Sequence, residues 1–154
     1  MQKQPQTLYN CTLFISQYDK NIVYLQSYIY RQKEHQKNME KLIETIVNAI
    51  QDKKGKDIVS MDLSGFDGAI CSHFVVCNAD STAQVAAIAD GIEQEVLEKL
   101  GEKVWRIEGQ QNAFWIAMDY LDVVVHIFQT ELREFYRLEE LWADAPMKKY
   151  EYEL

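Results

Sequence analysis

Met39, Leu42, Ile43, Ile46, Val47 and Ile50 recur at three- and four-residue intervals, the spacing of one helix face. Gly55 is placed to stop that helix in a left-handed cap. Val59, Met61 and Leu63 then alternate with Ser60 and Asp62, which predicts a first strand. Ser64-Gly65-Phe66-Asp67-Gly68 reads as a loop. The apolar run His73-Phe74-Val75-Val76-Cys77 reads as a central strand. Ser81-Thr82-Ala83-Gln84 has capping-box form. It opens a helix with Val85, Ile88, Ala89, Ile92 and Val96 on its buried side, closing near Gly101. Three strands are expected next, Val104–Glu108, Phe114–Asp119 and Val123–Phe128. The last two are joined by a hairpin at Tyr120-Leu121-Asp122. Leu132, Phe135, Leu138 and Leu141 mark a final short helix. The order is α-β-β-α-β-β-β-α, with no internal repeat.

Charge divides the chain at Met39. Residues 1–38 carry five basic and two acidic side chains, a net +3, against eleven basic and 22 acidic in the remainder, a net −11. The first segment is rich in Gln and holds Tyr9, Tyr18, Tyr24, Tyr28 and Tyr30. Ile22, Leu25 and Ile29 have helical spacing there. Residues 1–38 are therefore expected to be an N-terminal extension, loosely ordered or with one helix around residues 20–36. Met39 is equally readable as a natural start, with the extension as upstream read-through. Residues 39–142 form the expected domain and 143–154 a C-terminal tail.

The whole chain has 154 residues and a formal charge of −8, which disfavours a broad nucleic-acid-binding face and favours a basic partner. Three Cys without a CxxC spacing argue against a disulfide framework and point to a reducing, cytoplasmic compartment. No apolar run reaches the roughly 20 residues needed to cross a bilayer, and the start has no secretory or transit pattern.

The chemistry-bearing residues are sparse. Cys71, His73, Cys77 and His126 are the available metal ligands. Alternate strand residues lie about 6.6 Å apart, too far to converge on one zinc. Asn78-Ala79-Asp80-Ser81 sits between a strand and a helix, where phosphate loops occur, but it lacks glycine and carries Asp80. Ser81 reads better as a cap. Asp119 and Asp122 flank a turn and do not form a metal-binding D-x-D pair. His126, in mid-strand, reads as a hydrogen-bonded structural residue. Strand parity puts Phe114, Ile116 and Met118 on one face and Trp115, Ala117 and Asp119 on the other. Trp115 is then either the anchor of a protein interface or part of a core covered on both faces.

The residues that carry a family resemblance are these. Asp57-Ile58-Val59-x-Met61-Asp62-Leu63 opens the pattern, His73–Cys77 follows, and then Gln84-Val85-x-Ala87-Ile88-Ala89-Asp90. Its most specific part is Asp119-Tyr120-x-Asp122-Val123-Val124-Val125-His126-Ile127-Phe128, trailed by Arg133-x-x-Tyr136-x-Leu138-Glu139-x-Leu141-Trp142. From about Met39 to Trp142 the chain resembles the ribosomal silencing factor family (RsfS, Iojap-related). The resemblance implies a single α/β (α+β) domain, a five-stranded mixed sheet with flanking helices, nucleotidyltransferase-like in shape but without the catalytic pairs. It implies a non-enzymatic translational repressor without cofactor or metal. Such a protein binds the large ribosomal subunit through the fourteenth protein of its series, blocks joining of the small subunit and lowers translation under nutrient limitation. Alternatives are a large-subunit assembly factor and a nucleotidyltransferase-like enzyme. A homodimer of the free protein and at most peripheral contact with ribosomal RNA complete the expected partners, with no membrane. The expected contact residues are Trp115, Ala117, Asp119, Tyr120, Leu121 and Asp122, with Trp115 and Tyr120 as the aromatic centre. The family usually has Asp at position 72, Thr-Gly at 78–79 and Gly at 121, where this chain has Ser72, Asn78-Ala79 and Leu121.

Overall fold

The structure is a computed structural model that describes residues 7–152, with side chains described from Ile22. Two compact units divide at Asn38/Met39. Helix α1 runs Thr7–Asp52. The two helices expected around 20–36 and 39–50 are thus one, because no Gly or Pro lies between Thr7 and Asp52 to interrupt it. In the first unit Ile22, Val23, Tyr24, Leu25, Tyr28, Ile29 and Tyr30 are all exposed. In the second, Met39, Leu42, Ile43, Ile46, Val47 and Ile50 are buried as the periodicity predicts. The left-handed residue after α1 is Lys54 (φ 60°), not Gly55. Gly55 serves a close approach instead. Its N–H donates to Ile50 O at 2.9 Å, and a Cβ there would meet Ile50 Cγ2 at 2.3 Å.

The remaining elements are β1 Lys56–Asp62, β2 His73–Ala79, α2 Thr82–Leu100, β3 Arg106–Glu108, β4 Trp115–Asp119, β5 Val123–Gln129, α3 Thr130–Tyr136, α4 Leu138–Leu141 and β6 Met147–Tyr150. Helix α2 takes the expected Ser81 cap without the reciprocal half of the capping box, because Gln84 Nε2 donates instead to Lys53 O (3.1 Å) and Lys54 O (3.0 Å). The Ser81 hydroxyl accepts from Gln84 N–H, and Gly101 (φ 69°) closes the other end. The sheet order is β3-β4-β5-β2-β1-β6. Only β2 and β5 pair in parallel, so the sheet is mixed.

Two expectations are corrected. The sheet has six strands rather than five, because residues 147–150, placed in a C-terminal tail, pair antiparallel with β1 from Ile58↔Tyr150 to Met61↔Met147. Lys148 and Lys149 on this strand are side chains suited to a sheet edge. The single final helix is two, α3 and α4, separated by Arg137 in the left-handed region (φ 48°).

The sheet's two faces are covered differently. Ile58, Val75, Cys77, Ile116, Met118, Val125 and Ile127 pack under α2 and the Met39–Ile50 part of α1. On the opposite face Val59, Met61, Phe74, Val76, Val124 and Phe128 lie under Leu63, Phe66, Leu132, Leu138, Trp142 and Ala145. That second cover comes from a loop and two short helices.

Candidate functional site

Strand alternation in β4 places Trp115, Ala117 and Asp119 on the thinly covered face, all half-buried. Trp115 stacks on Phe128, its cross-strand partner, with ring centroids 4.7 Å apart. Its indole N–H donates to His126 Nδ1 at 3.1 Å. Tyr136 flanks the indole at 5.2 Å, and Phe135 meets Tyr136 edge-on at the same distance. Phe135 is 75% exposed and Tyr136 51%. Trp115 is therefore neither a free anchor nor sealed core. One side is packed and the other forms a platform with Tyr136 and Phe135.

Tyr120 does not join it. Its backbone closes the hairpin, with N–H donating to Val123 O at 2.9 Å, but the side chain is only 6% exposed and belongs to the helix-covered core. Burial pushes its phenol pKa up, with Glu93 and Glu102 adding to the effect. The expected aromatic pair Trp115–Tyr120 is thus replaced by Trp115–Tyr136. The signal in the sequence was Phe135-Tyr136, two adjacent aromatics that, about 100° apart around a helix, cannot both face the core. Of the four residues expected to mark that helix, Phe135 and Leu141 point outward, whereas Leu132 and Leu138 pack inward.

The hairpin tip completes the patch. Leu121 is 62% exposed and adopts φ 70°, a region in which a Cβ is unfavourable. Asp119 Oδ1 accepts its N–H at 2.7 Å and holds that turn. Asp122 is half-buried, and its carbonyl accepts from Ser72 N–H (2.9 Å) and His73 N–H (3.0 Å). It thereby ties the tip to the loop before β2.

Arg133 and Glu139, prominent in the family pattern, make a clamp beside this patch. Arg133 Nε donates to Glu139 Oε1 at 2.8 Å, and Nη1 donates to Asn78 Oδ1 (2.7 Å) and Asp57 O (2.6 Å). Asn78 Nδ2 donates to Thr130 Oγ1 at 2.9 Å. The clamp fastens α3 and α4 to β1 and β2. An open cleft of about 350 Å³ beside it is lined by Asp57, Asn78, Thr130, Arg133, Glu134 and Glu139 among others. Arg133's bonds are all turned inward, to Glu139, Asn78 and Asp57. The cleft carries no pair of strand carboxylates of the kind that two-metal phosphoryl transfer requires.

The possible metal ligands are not assembled. Cys77 is fully buried, its thiol pushed up to about 12 by burial, and Cys71, raised to about 11 for the same reason, donates to His73 O at 3.3 Å. His126 Nδ1 is occupied by Trp115. Among the described residues no three His, Cys, Asp or Glu side chains could hold an ion. No described helix is long and apolar enough to cross a membrane.

Comparison with known proteins agrees with this architecture. The pattern of the family described as "Ribosomal silencing factor during starvation" matches residues 36–153. A ribosomal silencing factor RsfS of Halalkalibacterium halodurans is 38% identical over 112 residues, covering 73% of this chain and 94% of that protein. The protein of the same name from Bacillus subtilis is 36% identical, covering 71% and 92%. A crystal structure from Bacillus halodurans superposes with a TM-score of 0.62 at 34% identity, covering 72% of this chain and 99% of that one. With the match extending through β6 and both curated relatives spanned almost end to end, the chain belongs to the ribosomal silencing factor family.

Proposed function

We propose that this protein is a non-enzymatic translational repressor. It docks on the large ribosomal subunit through the Trp115 face, at the fourteenth protein of the large-subunit series. There it blocks joining of the small subunit and lowers translation when nutrients are limiting. The observation that carries the reading is the platform of Trp115, Tyr136 and Phe135, beside Ala117, Asp119 and Leu121. Aromatic groups that are packed on one side and exposed on the other have the composition of binding hot spots. The −11 charge of residues 39–154 has the sign that steers toward a basic ribosomal protein. The relatives' shared name supplies the ribosome as the partner.

The test is co-sedimentation with isolated large subunits, followed by a subunit-joining assay. The full chain should co-sediment and reduce joining. Trp115→Ala should weaken binding by about 2 kcal/mol or more, roughly 30-fold. Thermal melting separates this loss from unfolding, and Leu121→Asp at the exposed tip provides a variant outside the packed stack. Normal co-sedimentation of both folded variants would remove this face from the contact. Binding without any effect on joining would overturn the repressor mechanism in favour of an assembly role.

A further inference from the structure

The Thr7–Asp52 helix continues far beyond what the domain core uses. Ile22, Leu25 and Ile29 stand 45%, 56% and 51% exposed along one stripe of it. A lone helix in water gains little from backbone hydrogen bonding, so an apolar stripe of this length needs a partner to bury it. A helix of 46 residues whose apolar stripe outruns its domain is read as a membrane span, a helical repeat or a coiled coil. No described helix has the apolar length for a membrane, and the sequence has no internal repeat.

The spacing identifies the coiled coil. Ile22, Leu25 and Ile29 are separated by three and then four residues, and in the sequence the same alternation reads back through Tyr18, Ile15, Cys11 and Leu8. Apolar residues therefore hold the a and d positions of three consecutive heptads. The a positions are Leu8, Ile15, Ile22 and Ile29, and the d positions are Cys11, Tyr18 and Leu25. Ile15, Ile22 and Ile29 at a with Leu25 at d follow the pattern that favours two parallel strands, while Cys11 and Tyr18 occupy the other d positions. The flanking positions agree. In parallel register Asn21 opposes Gln26 of a second chain and Tyr28 opposes Lys33, so no like charges face each other there. The next two seam positions are Gln32 and Gln36, so the apolar seam ends before the domain begins at Met39.

We propose that residues 7–31 pair with those of a second copy of this chain as a parallel, in-register two-stranded coiled coil, making the extension a dimerisation module. The seam is self-complementary, because the same a and d residues meet across the axis. The partner is therefore another copy rather than the acidic domain.

Sedimentation equilibrium of the full chain at tens of micromolar should report twice the 18.0 kDa chain mass. The double variant Ile22→Asp, Leu25→Asp should report the single-chain mass, with the domain's thermal transition unchanged. A monomeric parent, or a variant that remains dimeric, would overturn the proposal. The second case would place the dimer contact in the domain. Orientation is tested in a background with Cys11→Ser, Cys71→Ser and Cys77→Ala. There Leu25→Cys, at a seam position, should form a covalent dimer under mild oxidation, while Tyr24→Cys, on the outer side, should not. Failure of Leu25→Cys to cross-link, or equal cross-linking of both, would exclude the parallel in-register pair.

Discussion

Acidification should destabilise this protein through His126 in addition to its carboxylates. The residue is 8% exposed on β5, with the Phe74 ring edge-on at 4.7 Å and the Trp115 indole donating to Nδ1. That bond requires Nδ1 to be unprotonated, so the neutral ring carries its proton on Nε2, which is buried without a partner. Protonation would place a charge in this apolar setting and turn Nδ1 from acceptor into donor against another donor. Burial accordingly lowers the pKa from 6.5 to about 4, and Glu139 only partly opposes the shift. Because the folded value lies below the unfolded one, the unfolded chain binds the extra proton. Stability is complete above about pH 7 and falls as the pH drops from 6.5 to 4, with no further loss from this group below that. At 1.36 kcal/mol per pH unit the loss amounts to about 3 kcal/mol. The control is His126→Asn, whose carbonyl oxygen can accept the indole N–H but cannot titrate. Urea unfolding of both proteins between pH 7.5 and 4 should show the parent losing about 3 kcal/mol more than the variant. Carboxylates such as Asp62, held low by its hydrogen bonds from Ser64, contribute equally to both curves and cancel. Parallel curves would refute the account of His126 as a neutral acceptor locked to Trp115.

Two further outcomes test the clamp and the hairpin. Arg133→Ala strips the partner from Glu139 and from Asn78 Oδ1, at a side chain only 12% exposed, and should cost about 3 kcal/mol in urea unfolding. Arg133→Lys should recover little of this, because an ammonium cannot serve the fork. Leu121→Gly relieves a left-handed residue with a Cβ and should stabilise the fold by up to about 1 kcal/mol, while weakening large-subunit binding. A stabilised variant with unchanged affinity would take Leu121 out of the contact.

Most of the domain was legible because its elements carry strong local signals. The helix from Met39, the Ser81 cap, the Gly101 stop and the three core strands follow from periodicity and capping chemistry. What escaped depends on pairing rather than pattern. β6 has one half-buried residue, Tyr150, in four, and its existence rests on an edge that β1 leaves open. The division between α3 and α4 falls at Arg137 in the left-handed region, and the Arg133 clamp that holds both helices to the sheet reaches Asp57 and Asn78, 76 and 55 positions away. At the candidate site, parity placed Trp115, Ala117 and Asp119 on one face but could not carry across the turn. There the alternation breaks, and Tyr120 rotates into the core.

The unequal covering of the sheet explains why the proposed docking patch lies where it does. On the α1 and α2 face, helices bury Ile58, Val75, Cys77, Ile116, Met118, Val125 and Ile127, leaving Ile107 and Tyr150, on the edge strands β3 and β6, half-buried. On the other face the cover is built from the Leu63–Ser72 loop and two helices of seven and four residues. Helices that short cannot roof six strands. They leave β4 at the margin, where the indole of Trp115 rests on Phe128 beneath and meets Tyr136 at its flank. Arg133 fixes α3 to the sheet, and α3 carries Phe135 and Tyr136. The clamp residues Arg133 and Glu139 thus shape the proposed binding surface without belonging to it. A loss of ribosome binding in Arg133→Ala that tracks its loss of stability would express this coupling, and the same loss in a variant with parental stability would make Arg133 a contact residue instead.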